Sequence, residues 1–440
     1  MTHAPTSPHA GQVAVIGLGY VGLTLAVSMA RAGTRVIGVD TDPAVREALR
    51  GRQPVLFEPG VAELLRSLPP DRFTVADRLP SRPVDAVVLC VGTPVDPRTR
   101  KADLSALAAA AAHLAEHAGP ETLVVVRSTV AVGTSRQTVY RRLRANLERP
   151  LLAVCPERTI QGNALAELAA LPQIVGGVDH RSVARARTLF APVAADQVVV
   201  SSLEAAELVK LVCNAHTDLI YGFGNEVALM AEALGLDGNE VITAANQRYP
   251  RPDLCRPGFV GGSCLTKDPY LLVEAAERVG YHPPMVAAAR TVNERVPRVV
   301  ADHVLKALAG KGRPAADAKV LLCGIAYKGR PETDDVRGSA ATAVAEALQG
   351  RVGVLAGHDY VVSEARIAAL GYEPGSLADG MRGADAVVVL VDHPRYRKEL
   401  DLAMVRDTMR PPAVVFDMWG ELAGELAGLP DVDYRRLGRG

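Results

Sequence analysis

The chain has 440 residues, of which 48% are hydrophobic and 22% are charged, and its 49 basic and 49 acidic side chains cancel. This length exceeds what one ordinary hydrophobic core supports, so we expect two or three domains. Zero net charge removes any broad electrostatic reason to bind nucleic acid or an anionic membrane, and six cysteines without a CxxC pair indicate reduced thiols.

The first residues, MTHAPTSPHAGQ, are polar and show neither the charged nor the apolar region of a secretory signal. We expect residues 1–11 to form a disordered tail. No apolar run approaches the roughly 20 residues that span a bilayer. The sequence therefore predicts a soluble, cytoplasmic protein with neither a membrane nor a nucleic-acid partner.

Residues 12–200 alternate short apolar runs with helical stretches. The apolar runs are VAVIG, RVIGVD, DAVVLCVG, TLVVVRS, LLAVCPE and PQIVGG. Fully apolar strands separated by helices are typical of a parallel sheet that is covered on both faces. This part of the chain is therefore predicted to be an α/β domain.

Residues 201–312 carry apolar side chains with helical spacing and no strand-like run. One long helix is predicted from residue 202, and another starts after HPP and ends at Gly310. From residue 313 to 440, after the linker-like KGRPAADA, a second set of buried strands follows: KVLLCGIAY, RVGVLAGHD, DAVVVLVD and AVVFDMWG. The predicted fold class is therefore two parallel-sheet α/β domains joined by a helical region.

The first strand leads directly into Gly17, Leu18, Gly19, Tyr20, Val21 and Gly22. In such a strand–turn–helix context the first glycine makes the turn, the second lets the backbone approach a pyrophosphate, and the third permits close helix packing. The N-terminus of the helix, at Tyr20 and Val21, offers N–H groups to the phosphates. This pattern predicts a dinucleotide site, and the alternative is a glycine turn without a ligand.

Asp40 ends the second strand at the offset of about 20 residues expected for the acid that binds the ribose. Its charge would repel a 2′-phosphate and no arginine is adjacent in sequence, so NAD is predicted in preference to NADP. Thr93, in VGTP, and Thr129, after Ser128, follow later strands at the edge where open α/β sheets bind ligands. Each of these two segments could also be an ordinary loop.

Glu207, Lys210 and Asn214 are spaced at i, i+3 and i+7 on the first long helix and can share a face. A lysine and an amide four residues apart suit a site for an oxyanion or alkoxide, although a solvated helix face is the alternative. Cys264 in GFVGGSCLTKDPY has a lysine nearby, which favours a nucleophilic thiolate, and Asp268 is close enough to be a general base.

Alone, Cys264 could be a packed small hydrophobe. Glu157 after the strand LLAVCPE adds a second acid/base at the sheet edge. Together with an NAD site these groups indicate oxidation of an alcohol beyond the aldehyde. The aldehyde would be held as a thiohemiacetal, which gives a second hydride and leaves a thioester for water to cleave.

Six motifs between residues 12 and 420 resemble those of the UDP-glucose/GDP-mannose dehydrogenase family, the NAD-dependent four-electron oxidases of nucleotide sugars. They are VIGLGYVGL, VGTPVD, RSTVAVGT, ELVKLVCNA, GFVGGSCLTKD and GIAYKGRPETDDVRGS. The resemblance implies two Rossmann-like domains, with NAD bound by residues 12–200 and the UDP-sugar by 313–440. The helical region 201–312, with its long central helix, would carry catalytic residues and form the interface of a homodimer or higher oligomer.

The resemblance also implies a role for individual residues. Cys264 matches the family nucleophile, and Lys210 with Asn214 matches the pair that stabilises the oxyanion and positions the C6 hydroxyl. The residues that would hold the hydrolytic water or act as base are Asp268, Thr129 and Glu157. No metal site is implied.

The same resemblance extends to the binding of nucleotide and substrate. Lys328, in the AYK sequence of the last domain, matches a residue that reaches nucleotide and substrate, and Arg337 matches the DxR position of the same motif. The implied cofactor-binding residues are Gly17, Gly19, Tyr20, Val21, Gly22, Asp40, Thr93, Thr129, Lys328 and Arg337. The implied substrate-binding residues are Glu157, Arg158, Lys210, Asn214, Arg251, Gly261 and Lys328.

The sugar specificity is indicated by mixed motifs. CPERTIQGNALAELAALPQIVGG and NQRYPRPDLCRPGFVGG resemble the branch that oxidises UDP-N-acetylhexosamines, particularly UDP-N-acetyl-D-mannosamine, and Arg251 resembles an arginine that reaches a neighbouring subunit's substrate. Ser263 and Lys267 resemble the UDP-glucose and GDP-mannose branches, whereas DMWG lacks the arginine that UDP-glucose enzymes carry there. We expect UDP-ManNAc or UDP-GlcNAc, with UDP-glucose or GDP-mannose as alternatives.

Two other functions are compatible with parts of the pattern. A β-hydroxyacid dehydrogenase also joins a Rossmann domain to a helical domain with a Lys-x-x-x-Asn pair, but it transfers one hydride and needs no cysteine. A non-catalytic NAD-dependent sensor would not need Cys264, Lys210, Asn214 and Asp268 together. The second α/β domain and this set of residues favour the four-electron oxidase.

Overall fold

The computed structural model describes residues 11–251 and 253–439, so nearly all of the predicted tail lies outside the described residues. The chain forms two compact units. The first consists of the residues up to Cys213 together with Tyr270–His282, and the second of Asn214–Pro269 together with Pro283–Gly440. The predicted domain boundaries at 200 and 312 stay a prediction.

An eight-stranded sheet in the order β3-β2-β1-β4-β5-β6-β7-β8 forms the centre of the first unit. Its strands are β1 (Gln12–Ile16), β2 (Arg35–Val39), β3 (Phe73–Ala76), β4 (Ala86–Leu89), β5 (Leu123–Val126), β6 (Leu151–Val154), β7 (Gln173–Gly177) and β8 (Gln197–Val199). All neighbours are parallel except β6 and β7, which are antiparallel and differ in this from the predicted parallel sheet. An apolar strand buried on both faces has the same composition in either direction, so its sequence does not encode the direction.

Helices cover both faces of this sheet. They are α1 (Tyr20–Arg31), α2 (Pro43–Arg50), α3 (Val61–Ser67), α4 (Ser105–His117), α5 (Arg141–Leu143), which continues a π-helical turn at Ser135–Tyr140, α6 (Ala164–Ala170) and α7 (His180–Phe190). In β1, Val13 and Val15 belong to one hydrophobic core and Ala14 and Ile16 to the other. This alternation explains why the strand is apolar throughout, because successive side chains point to opposite, equally buried faces.

Five helices follow before the second sheet. They are α8 (Leu203–Ala233), α9 (Gly238–Asn246), α10 (Gly262–Leu265), α11 (Asp268–Glu277) and α12 (Pro284–Gly310). The two long ones, α8 and α12, are those that the helical spacing predicts. In α12, Pro284 occupies the first turn, where its missing N–H has no intrahelical partner to lose.

The second unit contains a six-stranded, fully parallel sheet in the order β11-β10-β9-β12-β13-β14. The strands are β9 (Lys319–Cys323), β10 (Val354–His358), β11 (Glu373–Pro374), β12 (Ala386–Val389), β13 (Ala413–Asp417) and β14 (Val432–Arg436). The helices are α13 (Ala340–Leu348), α14 (Glu364–Ala369), α15 (Leu377–Met381), α16 (Pro394–Glu399), α17 (Leu402–Thr408) and α18 (Ala423–Leu426), with a 3₁₀ turn at Ala315–Asp317. Val296, Val300 and Val304 of α12 pack in one of its cores.

The predicted fold class, α/β with two Rossmann-like sheets and a long helix, is confirmed. In each sheet the strand order reverses beside the first strand, between β1 and β4 in one sheet and between β9 and β12 in the other. Open α/β sheets bind ligands at such a switch point, outside the carboxyl ends of the strands. Across 11–251 and 253–439 we find no helix with the length and apolarity that crossing a membrane requires.

Candidate functional site

The turn after β1 has the geometry of a pyrophosphate cradle. Gly17 has φ +89°, and a Cβ on it would lie 2.8 Å from the carbonyl oxygen of Cys90. A Cβ on Gly22 would lie 1.8 Å from the carbonyl oxygen of Gly17. By contrast, a Cβ on Gly19 would meet no other described residue within 4 Å. Packing therefore requires the outer glycines, and the open space at Gly19 suits the approach of a phosphate to the backbone.

Asp40 lies at the carboxyl end of β2 and faces this turn. One carboxylate oxygen accepts the N–H of Leu18 at 2.8 Å and the other accepts the N–H of Asp42 at 2.9 Å. An ionised carboxylate has about four acceptor positions, so Asp40 can also accept bonds from ribose hydroxyls. Together with the first turn of α1, which begins at Tyr20 and Val21, these groups fit an NAD molecule.

Side chains join the loops that follow β4 and β5. The Thr93 hydroxyl donates to the carbonyl oxygen of Thr129 at 2.5 Å, and the Ser128 hydroxyl donates to that of Val91 at 2.7 Å. The structure thus brings the two predicted threonines together. Since the buried Thr93 hydroxyl donates its proton to the backbone, its direct contribution is to hold the Thr129 loop at the sheet edge.

Glu157 forms a buried ion pair with Arg127, a residue that the sequence patterns did not single out. Arg127 is 1% exposed and Glu157 is 9% exposed. One carboxylate oxygen accepts from two guanidinium nitrogens of Arg127, and the other accepts the N–H groups of Arg158 and Thr159 at 2.7 and 2.9 Å. These four donors match the acceptor positions of a carboxylate.

Burial opposes ionisation of Glu157, but the Arg127 guanidinium and the backbone N–H groups outweigh it and lower the pKa of Glu157. A carboxylate with a lowered pKa is a weaker base. This favours a role in orienting groups over a role as proton acceptor. Arg127 also donates to Gln173, and the Arg158 guanidinium donates to the carbonyl oxygen of Pro172.

The helix α8 carries Glu207, Lys210 and Asn214, but Glu207 has a separate task. It is buried and accepts the N–H groups of Gly133 and Ser135 at 2.6 and 2.8 Å, which fixes the segment after β5. Burial raises the pKa of Glu207, although the hydrogen bonds from these N–H groups act to lower it. Lys210 is also buried, one helical turn before Asn214.

Cys264 is exposed on the single turn of α10. Gly261 and Gly262 precede it at positions where a side chain would clash. A Cβ on Gly261 would lie 2.6 Å from the carbonyl oxygen of Gly338, and a Cβ on Gly262 would lie 2.8 Å from the ring of Tyr327. Gly262 also has φ +88°, which side chains rarely allow. The two glycines thus hold α10 close against its neighbours.

Asp268, four residues after Cys264, is fully buried. Its two carboxylate oxygens accept from the Asn214 amide and from the Lys267 ammonium, each at 2.5 Å. The structure therefore brings together two of the predicted catalytic residues, Asn214 and Asp268. Lys267 is the cation beside the carboxylate rather than a solvated side chain of the loop.

The other cysteines in the described chain lie in several environments. Cys155 and Cys323 are buried. Burial raises the pKa of the Cys155 thiol to about 12 and moves that of Cys323 still higher. Such thiols are poor nucleophiles at neutral pH. Cys213 is exposed like Cys264 and provides a natural comparison for reactivity.

The second sheet repeats the turn geometry of the first. Asp359 follows β10 and accepts the N–H groups of Ile325 and Ala326, which follow β9, at 2.8 and 3.0 Å. Lys328 lies next in this loop, its ammonium 5.4 Å from the ring centroid of Tyr327. This lysine is therefore at the carboxyl edge of the sheet, where ligands bind.

Two predicted binding arginines have partners within their own loops. Arg337 makes two hydrogen bonds to the carboxylate of buried Asp335, at 2.8 and 2.7 Å, while its side chain is 58% exposed. Arg251 donates to the hydroxyl of Tyr249 and lies over its ring. Both guanidinium groups remain accessible for a ligand because neither is buried.

Three side chains of the types that bind metal ions lie on α4, and the sequence analysis did not predict them. His113, Glu116 and His117 place ligand atoms within 4.8 Å of one another. One ring nitrogen of His113 already accepts the N–H of Leu79 at 3.1 Å, and His117 bonds the carbonyl of His113.

Three family models match the chain in order. The NAD-binding domain of the UDP-glucose/GDP-mannose dehydrogenase family matches residues 11–194, its central domain residues 204–295, and its UDP-binding domain residues 321–423. The predictions of an NAD cofactor and of oxidoreductase activity are thereby confirmed.

Similar proteins carry more than one substrate name. UDP-N-acetyl-D-mannosamine dehydrogenase from Pyrococcus horikoshii is 31% identical over 92% of this chain and 94% of its own. The solved structure of UDP-D-ManNAc dehydrogenase from P. horikoshii has a TM-score of 0.87 over 98% of this chain and 99% of the other, at 29% identity. A UDP-glucose dehydrogenase structure from Pyrobaculum islandicum has a TM-score of 0.85 over 100% of both chains, also at 29% identity.

Replacement of Asp40 by Asn should weaken NAD binding, because the ribose loses a charged acceptor worth about 1.5–3 kcal/mol. The Michaelis constant for NAD should rise at least about tenfold, and the preference for NAD over NADP should fall. Asp42→Asn is the matched control, since Asn caps a helix as well as Asp does and Asp42 caps α2. If the ratio of kcat/KM with NAD to kcat/KM with NADP is the same in both variants, the assignment of Asp40 is wrong.

Arg127→Met should destabilise the protein by about 3–5 kcal/mol, because it leaves the Glu157 carboxylate buried without its partner. The exposed pair Arg136–Glu204 is the control, and Arg136→Met should cost at most about 1 kcal/mol. Thermal unfolding of both variants measures the loss of unfolding free energy in each.

The stabilisation from Glu157 also has a predictable pH dependence. Since the folded-state pKa of Glu157 is lowered, its contribution is fully present above the ordinary value of 4.5 and is lost as the pH falls below that value. The melting-temperature gap between the wild type and Arg127→Met should therefore narrow below about pH 4.5. A gap that is independent of pH would show that the ion pair is not its source.

Proposed function

Since the chain belongs to the UDP-glucose/GDP-mannose dehydrogenase family, we propose that it oxidises the C6 hydroxyl of a nucleotide sugar to the uronic acid through a thioester on Cys264. The observation that carries this proposal is the exposed Cys264 thiol, followed four residues later by the buried Asp268–Asn214 pair. A dehydrogenase that stopped at the aldehyde would not need the thiol. The complete reaction converts one primary alcohol, two NAD and one water into one carboxylate, two NADH and three protons.

In the first oxidation the substrate hydroxyl loses a proton and its carbon loses a hydride. Lys210 supplies positive charge and Asn214 supplies a hydrogen-bond donor to the oxygen as it becomes an alkoxide. Their spacing of one helical turn on α8 allows both side chains to address one oxygen. When bound, NAD accepts the hydride in each oxidation.

In the second half of the reaction the Cys264 thiolate adds to the aldehyde carbon and gives the anion of a thiohemiacetal, with the negative charge on oxygen. Loss of a second hydride from this carbon forms the thioester. Water then attacks the thioester carbonyl, the C–S bond breaks, and the carboxylate leaves while the sulfur regains its resting form. We assign the proton acceptor in this step to Asp268, and we assign Thr129 and Glu157 to orienting the water.

We propose a UDP-N-acetylhexosamine, UDP-ManNAc or UDP-GlcNAc, as the substrate. The UDP-binding model over residues 321–423 supports a uridine nucleotide, and the name of the P. horikoshii relative supports the N-acetyl sugar. The segments that begin at Cys155 and at Asn246 point to the same branch. Ser263 and Lys267 favour the alternative, UDP-glucose or GDP-mannose, and the similarity to the P. islandicum enzyme favours UDP-glucose.

The proposed assembly is a homodimer or a higher homo-oligomer. Its support is a pair of exposed apolar side chains on α8, Phe223 and Met230, which are both 51% exposed. These two positions are seven residues apart and so lie on one face of the helix. Light scattering coupled to gel filtration measures the mass. A cytoplasmic location stays a prediction.

A panel of UDP-ManNAc, UDP-GlcNAc, UDP-glucose and GDP-mannose, assayed for NADH formation, tests the substrate proposal. We expect the highest kcat/KM for one of the two N-acetyl sugars. A higher value for UDP-glucose or GDP-mannose would contradict this choice and leave the C6 chemistry intact. NAD binding without turnover on any of the four would instead favour the sensor function.

The stoichiometry tests the four-electron mechanism. The wild type should form two NADH for each sugar consumed, with a uronic acid as product. Cys264→Ser should stop after the first oxidation or at a covalent adduct, because a serine hydroxyl is a far weaker nucleophile than a thiolate. Cys213→Ser, which alters the other exposed thiol, should keep the ratio of two NADH for each sugar.

Two results would contradict this mechanism. A ratio of one NADH per sugar, with an aldehyde or ketone as product, would match the β-hydroxyacid type of dehydrogenase. Turnover of the Cys264→Ser variant at the wild-type rate would show that Cys264 is not the nucleophile.

A further inference from the structure

A buried guanidinium contacts the backbone directly after Cys264. Arg290 of α12 is 2% exposed, and one of its terminal nitrogens donates to the carbonyl oxygen of Leu265 at 2.8 Å. The same nitrogen donates to the carboxylate of Asp218 at 2.8 Å, and Asp218 of α8 is 1% exposed. Leu265 is the last residue of α10, the single helical turn that carries Cys264.

This contact satisfies a group that a short helix cannot satisfy itself. The last carbonyls of any helix have no N–H partner within it. In α10 the carbonyl oxygen of Cys264 accepts the N–H of Lys267, and that of Gly262 accepts the hydroxyl of Thr266. The Leu265 carbonyl has its partner in Arg290, which therefore fixes the end of α10 from outside.

The same polar network also holds the beginning of the segment. Asn293 of α12 donates to Asp218 and accepts a hydrogen bond from the Asn225 amide. Asn225 in turn donates to the carbonyl oxygen of Gly258 at 2.9 Å and accepts the N–H of Gly258 at 2.8 Å. The chain from Gly258 to Leu265 is thus held at both ends by side chains of α8 and α12.

A contribution to the stability of the folded state does not explain this network well. Ion pairs buried in a protein core seldom stabilise more than apolar residues of similar volume would, since both charges lose their hydration. Within the part of the chain that the structure describes, the second carboxylate oxygen of Asp218 and the Nε of Arg290 have no hydrogen-bond partner. Burial raises the pKa of Asp218 to about 6, against the effect of Arg290, so the carboxylate is largely ionised at neutral pH.

We propose that Arg290, oriented by Asp218, is a positioning residue for the Cys264 nucleophile. It fixes α10 through the Leu265 carbonyl and so keeps the Cys264 sulfur where it can add to the aldehyde carbon. This inference rests on the proposed role of Cys264. A displacement of about 1 Å at a reacting atom costs up to about 100-fold in rate, so a backbone contact one residue away is sufficient for a large effect.

Arg290→Met tests the proposal, and Arg313→Met is the matched control. Arg313 likewise joins a buried aspartate, Asp385, to backbone carbonyls, those of Arg410 and Pro411, in the same unit. Both variants should lower the melting temperature. Only Arg290→Met should lower kcat, by about 10- to 100-fold, with the Michaelis constant for NAD unchanged. Arg290→Lys should restore part of kcat, since an ammonium can still donate to the Leu265 carbonyl.

Amide hydrogen exchange provides a second readout that does not depend on turnover. The N–H groups of Thr266 and Lys267, which bond to α10, should exchange faster in Arg290→Met than in the wild type or in Arg313→Met. If Arg290→Met does not fold, Asp218→Asn replaces it, because Asn keeps the shape of the side chain and removes the charge that orients Arg290.

The outcomes separate this inference from the proposed function. Wild-type kcat and wild-type exchange in Arg290→Met, measured below its melting temperature, would overturn the positioning role. An equal loss of kcat in Arg313→Met would also overturn it, because the effect would then be general destabilisation. Faster exchange around α10 in Arg290→Met would support the positioning of α10 by Arg290. If the wild type at the same time forms only one NADH per sugar, the four-electron mechanism is contradicted.

Discussion

The loops at the ligand edges of both sheets depend on one interaction, a carboxylate that accepts backbone N–H groups. Asp40 after β2 binds the turn after β1, and Asp359 after β10 binds the turn after β9. In each case the acid at the end of the second strand sets the conformation of the loop that follows the first. A backbone held in this way needs little reorganisation when a phosphate arrives, which is the condition for strong electrostatic binding.

The buried acids Glu157, Glu207 and Asp268 differ in the donors that their carboxylates accept. Glu207 and Glu157 give their oxygens to backbone N–H groups and, in Glu157, to Arg127. Asp268 is different, because its oxygens accept from two side chains, Asn214 and Lys267. The role of Asp268 as proton acceptor stays a prediction.

Features with a local sequence pattern were predictable. Spacing within a few residues predicts the glycine turn with Asp40, the helices α8 and α12, and the strands β1, β2, β4, β5, β6, β7, β9, β10, β12 and β13. The strands β3, β8 and β14 were not among the predicted apolar runs. The reversed direction of β7 and the two-residue strand β11 leave no such pattern. The roles of Arg127 and Arg290 were not predicted either, because no local pattern distinguishes them from other charged residues. The partner of Arg127, Glu157, lies 30 positions away, and the partner of Arg290, Asp218, lies 72 positions away.

The continuous helix α8 constrains how this chain can change in length. Lys210 and Asn214 face the same direction only because four residues nearly complete a turn of 3.6. One residue inserted between them would rotate Asn214 by about 100° relative to Lys210, and a deletion would rotate it by as much in the opposite sense. Loops of the two units can absorb insertions, whereas any insertion or deletion in α8 between residues 210 and 214 shifts the helical phase of these two side chains.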